Sequence, residues 1–262
     1  MNSFTVLARK ECIQLIRELK IIWLPLVFIF LGMTQPVMSY YLPTILEALG
    51  GGQGITIDPS FAQQSGGEVL ASTLGSQFDQ LGIMIIVISI MGIIQSDKAS
   101  GMLAFIMTRP VPVHSYIIGK IISNYVFIAC SIGLGYIVSY FYVLYLFTNV
   151  NFGHAVLALF SYLLWVLFII SFTAMMSTIL NSQAAIALIS IIFLLACRML
   201  VGLNPIIDLV NPAAMSKAAM ELLITGTVGI KVAISIIVTI ILIGLTIFIT
   251  NYWISSKKYS RE

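Results

Sequence analysis

Residues 97–120 form a polar, punctuated insert between two long apolar runs, and they hold Asp97, Lys98, Ser100, Gly101, Arg109, Pro110, Pro112, His114, Gly119 and Lys120. The types suit capping, ion pairing and recognition. They do not suit nucleotide hydrolysis. A phosphate loop needs a run of the form GxxxxGK[ST], and Gly119-Lys120 lacks both the upstream glycine and the following hydroxyl residue. The chain has no HExxH and no GxSxG. Cys12, Cys130 and Cys197 are isolated, with no metal-type spacing, and read as buried structural thiols. Within the insert, Ser96 or Asp97 is placed to cap a helix start, where a carboxylate also meets the positive end of the dipole. That helix is expected to run to about Thr108. Pro110 stops it, and Pro112 keeps the chain extended. Met102, Leu103, Phe105, Ile106 and Met107 are too apolar for a free aqueous loop. They need either a groove on a partner or the bilayer surface, and the residues themselves leave both open.

Outside the insert, ionisable groups in the apolar runs are scarce. Arg198 is the main exception, with two readings: it snorkels outward or pairs with Asp208, or it stands on a substrate path. Asp79 and Lys231 fall at the edges of apolar runs, where anchoring is the plain reading. The centres of the runs hold no acidic relay, which argues against a proton-driven pump. A polar substrate would have to use Gln35, Ser89, Asn124, Ser171 or Thr173. Met84, Met91, Met175 and Met176 fit either gap-filling or an adaptable apolar path.

The elements that carry these residues follow from composition. Hydrophobic residues make up 60% of the chain and charged ones 9%, against about 25% charged in a soluble domain. Mean hydropathy is +1.06. Such a chain cannot cover a globular surface, so the bilayer is its solvent. Residues 121–197 contain no Asp, Glu, Lys or Arg, which leaves room for about three crossings at roughly 20 residues each. The apolar runs do not alternate as barrel strands do, so the spans are helices. The expected fold is an all-α polytopic membrane protein with spans at about 21–42, 79–96, 117–147, 154–180, 184–203 and 230–254. Pro25 and Pro36 are expected to bend the first. Residues 2–20 are amphipathic and are expected to lie in the membrane interface, with Arg9, Lys10, Arg17 and Lys20 near lipid phosphates. The first apolar run is too long for a cleaved signal and reads as a retained span.

Charge asymmetry sets the orientation. With the N-terminus inside, the inner segments hold Arg9, Lys10, Arg17, Lys20, Lys98, Arg109, Lys120, Lys257, Lys258 and Arg261. The outer side holds Lys217, Lys231 and Arg198, so both termini are expected in the cytoplasm. This topology puts His114 and His154 on opposite faces, where they cannot share a metal within one subunit. Residues 43–78 read as a flexible outer loop with a short helix near 68–76. Residues 204–229 read as an outer helical segment, started by Asn211-Pro212 and stopped by Thr225-Gly226.

The insert resembles the cytoplasmic loop of ABC-2-type transporter permeases. Asp97 fills that loop's acidic position, Ser100-Gly101-Met102-Leu103-Ala104 its Gly-Thr-Leu-Glu neighbourhood, Arg109-Pro110-Val111-Pro112 its turn, and Gly119-Lys120 the opening of the third span. The N-terminal Arg9-Lys10-Glu11-Cys12-Ile13-Gln14-Leu15 is similar to the family's elbow helix. Met102, Ala104 and Val113 depart from the usual Thr, Glu and Arg, which makes the loop greasier than its relatives. The resemblance implies a two-component exporter, in which two permease subunits, identical or paralogous, pair with two separate ATP-binding subunits. Residues 97–109 would be the coupling helix, with Asp97, Lys98, Ser100, Gly101, Met102, Leu103, Ala104, Phe105, Ile106, Arg109 and Pro110 docking on the ATPase. Arg198 and Asp208 would belong to an outer gate or path, and the first, second and fifth spans would line that path. This chain would bind no cofactor, because ATP and Mg would sit on the partner. It would be a multi-pass protein of a bacterial plasma membrane, in contact with lipid and with no nucleic acid. A stand-alone secondary transporter or channel is the main rival. An intramembrane enzyme is a weaker one, since no paired nucleophile or metal cluster appears at membrane depth.

Overall fold

Six helices in the computed structural model are long and apolar enough to cross a membrane, and nothing among the described residues is a strand. The structure describes residues 3–50, 64–108, 112–227 and 229–256. Helix α1 covers Ser3–Arg17 and α2 covers Lys20–Gly50. The two are joined at Leu19, whose φ of 54° makes a sharp corner that ends the first helix. Pro25, Pro36 and Pro43 all lie inside α2, which continues through them.

The second span differs from its expected boundary. It begins at Gly66, well before residue 79, and runs as α3 (Gly66–Ser72), a π-helical stretch (Thr73–Gly82) and α4 (Ile83–Ile90). A capping box starts it. Ser65 Oγ accepts from the Glu68 N–H at 3.3 Å, and Glu68 Oε2 accepts from the Ser65 N–H at 3.0 Å. Residues 66–78 are therefore part of a continuous helical path. Of the outer loop expected at 43–78, residues 51–63 lie outside the described residues.

Two short helices follow, α5 (Gln95–Ala99) and α6 (Met102–Met107). Then come α7 (Val113–Leu146), α8 (Phe152–Ile179) and α9 (Gln183–Leu200). The segment between the fifth and sixth spans holds α10 (Pro205–Val210) and α11 (Ala214–Thr225), and the last span is α12 (Ile230–Ser256). Gly226, at φ 68°, closes α11 with a left-handed cap. Asn204 caps α10, with Pro205 in the first turn.

The core sits around α8, whose Tyr162, Trp165, Val166, Ile169 and Ile170 are fully buried. Spans α2 and α7 pack backbone to backbone. A Cβ on Gly32 would collide with the Gly135 carbonyl, and one on Gly135 with the Phe28 carbonyl. This is the small-residue contact that membrane helices use where no hydrophobic drive joins them. Gly135→Leu is expected to force the two spans apart at a cost of about 1–3 kcal/mol or more. A fall in the thermal midpoint of the detergent-purified chain checks this, and an unchanged midpoint counts against it. The hydroxyls of α12 behave differently. Thr239, Thr246 and Thr250 are buried and bond back to carbonyls of their own helix, at 2.7, 2.8 and 2.7 Å.

Candidate functional site

The chain from Met91 to Lys120 folds into a corner at one end of the bundle. Its backbone breaks between Ile90 and Gln95, and Ser177 of α8 covers the exposed polar groups. Ser177 Oγ accepts from Ile94 N at 3.1 Å and Gln95 N at 2.9 Å, and donates to Met91 O at 3.0 Å. Lys98 Nζ donates to the Thr178 and Leu180 carbonyls at 2.8 and 3.0 Å, where the C-terminal dipole of α8 welcomes a cation. Gln95 Nε2 reaches Asn181 O at 2.8 Å. The insert is therefore clamped to the α8–α9 turn.

A single helix over 97–109 does not form. Gly101, at φ 72°, separates α5 from α6, and only the backbone conformation demands glycine, because nothing lies within 4 Å of an added Cβ. Neither Ser96 nor Asp97 caps a helix. Ser96 Oγ donates to the Gly92 carbonyl, and α5 has no side-chain cap. Asp97 turns inward instead.

That inward turn builds a buried charge cluster joining three elements. Lys120 of α7 lies 3.0 Å from Asp97 and 3.2 Å from Glu11 of α1, and its Nζ also donates to Ile93 O at 2.6 Å. Lys10 of α1 stands 3.7 Å from Asp97. The Tyr116 hydroxyl donates to Asp97 Oδ2 at 2.7 Å, and Lys120 Nζ lies over the Tyr116 ring at 5.6 Å. Lys120, Asp97 and Glu11 side chains are 2%, 9% and 7% exposed. Two acids and two bases balance one another, so burial is tolerable. Behind them a cavity of about 280 Å³ opens between α1 and the spans, lined by Glu18, Lys20, Lys120 and Asn124 among others.

The expected docking residues thus separate into two sets. Asp97, Leu103 and Ile106 are buried within this chain, so they cannot meet a partner in this conformation. Ser100, Gly101, Met102 and Phe105 are exposed, with Phe105 at 53% and Met102 at 40%. Lys98 and Ala104 are half-buried, while Arg109 and Pro110 lie outside the described residues. The elbow cations separate too. Lys10 serves the buried cluster. Lys20 pairs with Glu18 at 2.5 Å, and among the described elbow cations Arg17 is the exposed one. The side chain of Arg9 is outside the described residues. Burial pushes the Glu18 carboxyl up, but its bonds from Lys20 and Gln14 outweigh this and hold it below the ordinary value.

At the other end of the bundle, Arg198 does not pair with Asp208. It pairs with Asp79, Nε to Oδ2 at 2.5 Å, and Ser216 of α11 donates to the same oxygen. Asp79 is fully buried, because the span it belongs to starts thirteen residues earlier than expected. It stands in the π-helical stretch, a geometry that recurs at functional positions. Buried Tyr162 adjoins the carboxylate, yet neither its hydroxyl nor Asp79 Oδ1 makes a hydrogen bond of ordinary geometry. Arg198 Nη2 also meets Met220 Sδ at 3.4 Å. Asp208 belongs to a separate surface group, 2.9 Å from Lys217 and accepting from Gly202 N at 2.7 Å. Burial raises its carboxyl, and those two donors bring it below the ordinary value.

The sequence signals for these partners differ. Tyr116 and Lys120 are four apart and share a helix face, a readable pattern. Glu11 was visible only as part of an amphipathic helix. Of the polar candidates inside the runs, Ser89, Asn124, Ser171 and Thr173 are buried, and Gln35 alone is half-buried. The cysteines are not buried as expected: Cys12 and Cys130 are exposed on the helix surface and Cys197 is half-buried. Among the described residues, no group of three His, Cys, Asp or Glu side chains could hold a metal ion.

Comparison with known proteins places these features in a lineage. The model of a family described as ABC-2 family transporter protein matches residues 5–250. The chain is also 36% identical over 226 residues to a protein of Bacillus subtilis (strain 168) described as the uncharacterized transmembrane protein YxlG, covering 86% of this chain and 87% of that one.

Proposed function

The chain belongs to the ABC-2 transporter family, and from that premise we propose that it is the permease subunit of an ATP-driven exporter. Membership makes it a membrane transport component of an ABC system. The finer reading is that a separate ATP-binding subunit docks on the α5–α6 corner, and that ATP closure there shifts the spans between inward- and outward-open states. ATP does so by binding one state more tightly than the other. The cation-rich end that carries Lys10, Lys20, Lys98 and Lys120 is then cytoplasmic, with both termini inside a bacterial plasma membrane. Two permease copies, or this chain and a paralogue, complete the assembly.

One observation carries the reading. Met102 and Phe105 are exposed apolar side chains on a segment whose base is locked to α1, α7 and α8 by buried charges. A push on that face would reach three elements at once. An apolar anchor on a rigid base is also the usual form of an interface hot spot.

The test is mutational. Phe105→Asp is expected to leave insertion intact and to weaken ATPase binding about tenfold or more, a loss of ~1.4 kcal/mol. Co-purification with the ATP-binding subunit and coupled ATP turnover read the effect, and normal values for both would sink the docking assignment. Leu103→Asp is a different experiment. Leu103 is fully buried, so a carboxylate there is expected to unfold the corner instead of probing its surface.

A further inference from the structure

The cavity of about 280 Å³ under α1 is lined by two polar side chains whose hydrogen bonding is incomplete. Ser89 of α4 is 7% exposed and Asn124 of α7 is 5% exposed. Other span serines bond back to their own helix, as Ser131 and Ser171 do to Phe127 O and Leu167 O at 3.0 and 2.7 Å. Ser89 Oγ makes no hydrogen bond to any described residue. Asn124 Nδ2 donates to Lys120 O at 2.9 Å, which fixes the amide's orientation and leaves Oδ1 unbonded. Neither oxygen is among the fully enclosed unpaired atoms, so each reaches open space, and the space these residues line is the cavity.

Donors and acceptors divide by depth. Among the buried lining residues, Lys120 is committed to Asp97, Glu11 and the Ile93 carbonyl. Glu11 Oε1 takes that ion pair, and Oε2 remains. The deep wall therefore offers acceptors: Asn124 Oδ1, Ser89 Oγ and Glu11 Oε2. Nearer the surface, Lys20 pairs with Glu18 and keeps ammonium hydrogens to spare. Glu11 and Glu18 against Lys20 and Lys120 leave the wall with no net charge. The rim is apolar. Half-buried Trp23 and exposed Ile88 line it, and Ile22, next to Trp23 in α2, is exposed. Tryptophan at such a position suits the boundary between headgroups and hydrocarbon.

We infer that this cavity holds the headgroup of a phospholipid that carries a primary ammonium, the phosphoethanolamine class. The ammonium N–H groups go to the three deep acceptors, and the phosphate goes to Lys20 at the mouth. The acyl chains leave over Trp23 and Ile88. A wall without net charge suits a zwitterion better than a net anion or cation, whose charge would be buried uncompensated. At about 30 Å³ per water the space takes about nine waters, and a phosphoethanolamine group has a similar number of heavy atoms. The apolar rim is what favours the whole lipid over the free headgroup. Bound there, the headgroup bridges α1 to α4 and α7, beside the backbone break that leads into α5. The site stands whether or not an ATP-binding subunit docks on the corner.

Native mass spectrometry of the detergent-purified full chain tests this. The chain is exchanged with equal amounts of phosphatidylethanolamine, phosphatidylcholine and phosphatidylglycerol of identical acyl chains. Phosphatidylethanolamine is expected to be retained about tenfold more than either, because the choline group has no N–H to donate and the glycerol headgroup is a net anion. Ser89→Ala combined with Asn124→Leu is expected to bring it down to the phosphatidylcholine level and to leave phosphatidylcholine unchanged. Lys20→Gln is expected to weaken both lipids about equally, since both carry the phosphate. Selectivity lost in Lys20→Gln, or kept in the double variant, would overturn the inference. Equal retention of all three lipids by the parent chain would mean that the cavity holds water only, and would overturn it too. Should the double variant fail to fold, Ser89→Ala alone is read, with an expected fall in selectivity of about threefold. Free phosphoethanolamine is the last arm. If it raises the thermal midpoint of the phosphatidylcholine-loaded chain as much as phosphatidylethanolamine does, the ligand is a soluble amine and the lipid assignment fails.

Discussion

Lys120→Met is expected to destabilise the chain by about 3–5 kcal/mol, because it removes the one cation that touches both buried acids. Asp97 would keep Lys10 at 3.7 Å and the Tyr116 hydroxyl at 2.7 Å. Glu11 would keep no charged partner of its own, since its ion pair is with Lys120. The orphaned carboxylate is 7% exposed, and a buried charge left without its counter-charge is costly. Glu11→Gln in the same chain is therefore expected to restore most of the loss. A neutral amide needs hydrogen bonds but no counter-charge. Thermal unfolding of the detergent-purified single and double variants measures this, together with yield in the membrane. A double variant no more stable than Lys120→Met would show that Lys120 acts through its bond to the Ile93 carbonyl and not through Glu11. The cluster also joins α1, α5 and α7, so on the proposed docking of an ATP-binding subunit the single variant should lose coupled ATP turnover before it loses insertion.

The second large effect is expected at the opposite end. Arg198→Met leaves the fully buried Asp79 with Ser216 as its hydrogen-bond donor, and breaking such a pair one-sidedly costs about 3–5 kcal/mol. Asp79→Asn should cost less, because Arg198 is partly exposed and can turn toward water. Combining Asp79→Asn with Arg198→Met removes both charges and is expected to be milder than Arg198→Met alone. The difference between the double variant and the sum of the singles is the coupling energy of the pair. Additive effects would mean that Arg198 and Asp79 act independently despite their contact. The pair joins the π-helical stretch of the second span to α9 and, through Ser216, to α11. Weakening it should also loosen the segment between the last two spans, as seen in faster proteolysis of residues 204–229.

Much of this was legible in order along the chain. Charge-free runs and their lengths gave six spans, since a backbone in lipid has to bond to itself. Gly226 after an apolar run marks a helix end. Ser65 and Glu68 also spell a capping box, which puts the start of the second span at Gly66; the run of glycines and glutamines around it outweighed that signal. Other features depend on pairs far apart in sequence. Asp97 looks like a cap because caps are local, but a helix cap is worth about 1 kcal/mol. An ammonium 3.0 Å away in a buried site offers more. Leu103 and Phe105, two residues apart, fall on opposite sides of α6, and only packing against the bundle decides which one is buried.

By itself the sequence determined the solvent, the helical class, the number of crossings and the family, because these depend on composition, run length and local motifs. Only the tertiary structure decided which charges neutralise one another. It gave Arg198 to Asp79, Asp208 to Lys217, and Lys120 to Asp97 and Glu11. It also joined Gln35 of the first span to Ser72 and Gln77 of the second. The reason is physical. An ion pair in low dielectric is chosen by distance and burial, and both are properties of the packed helices that no single segment carries.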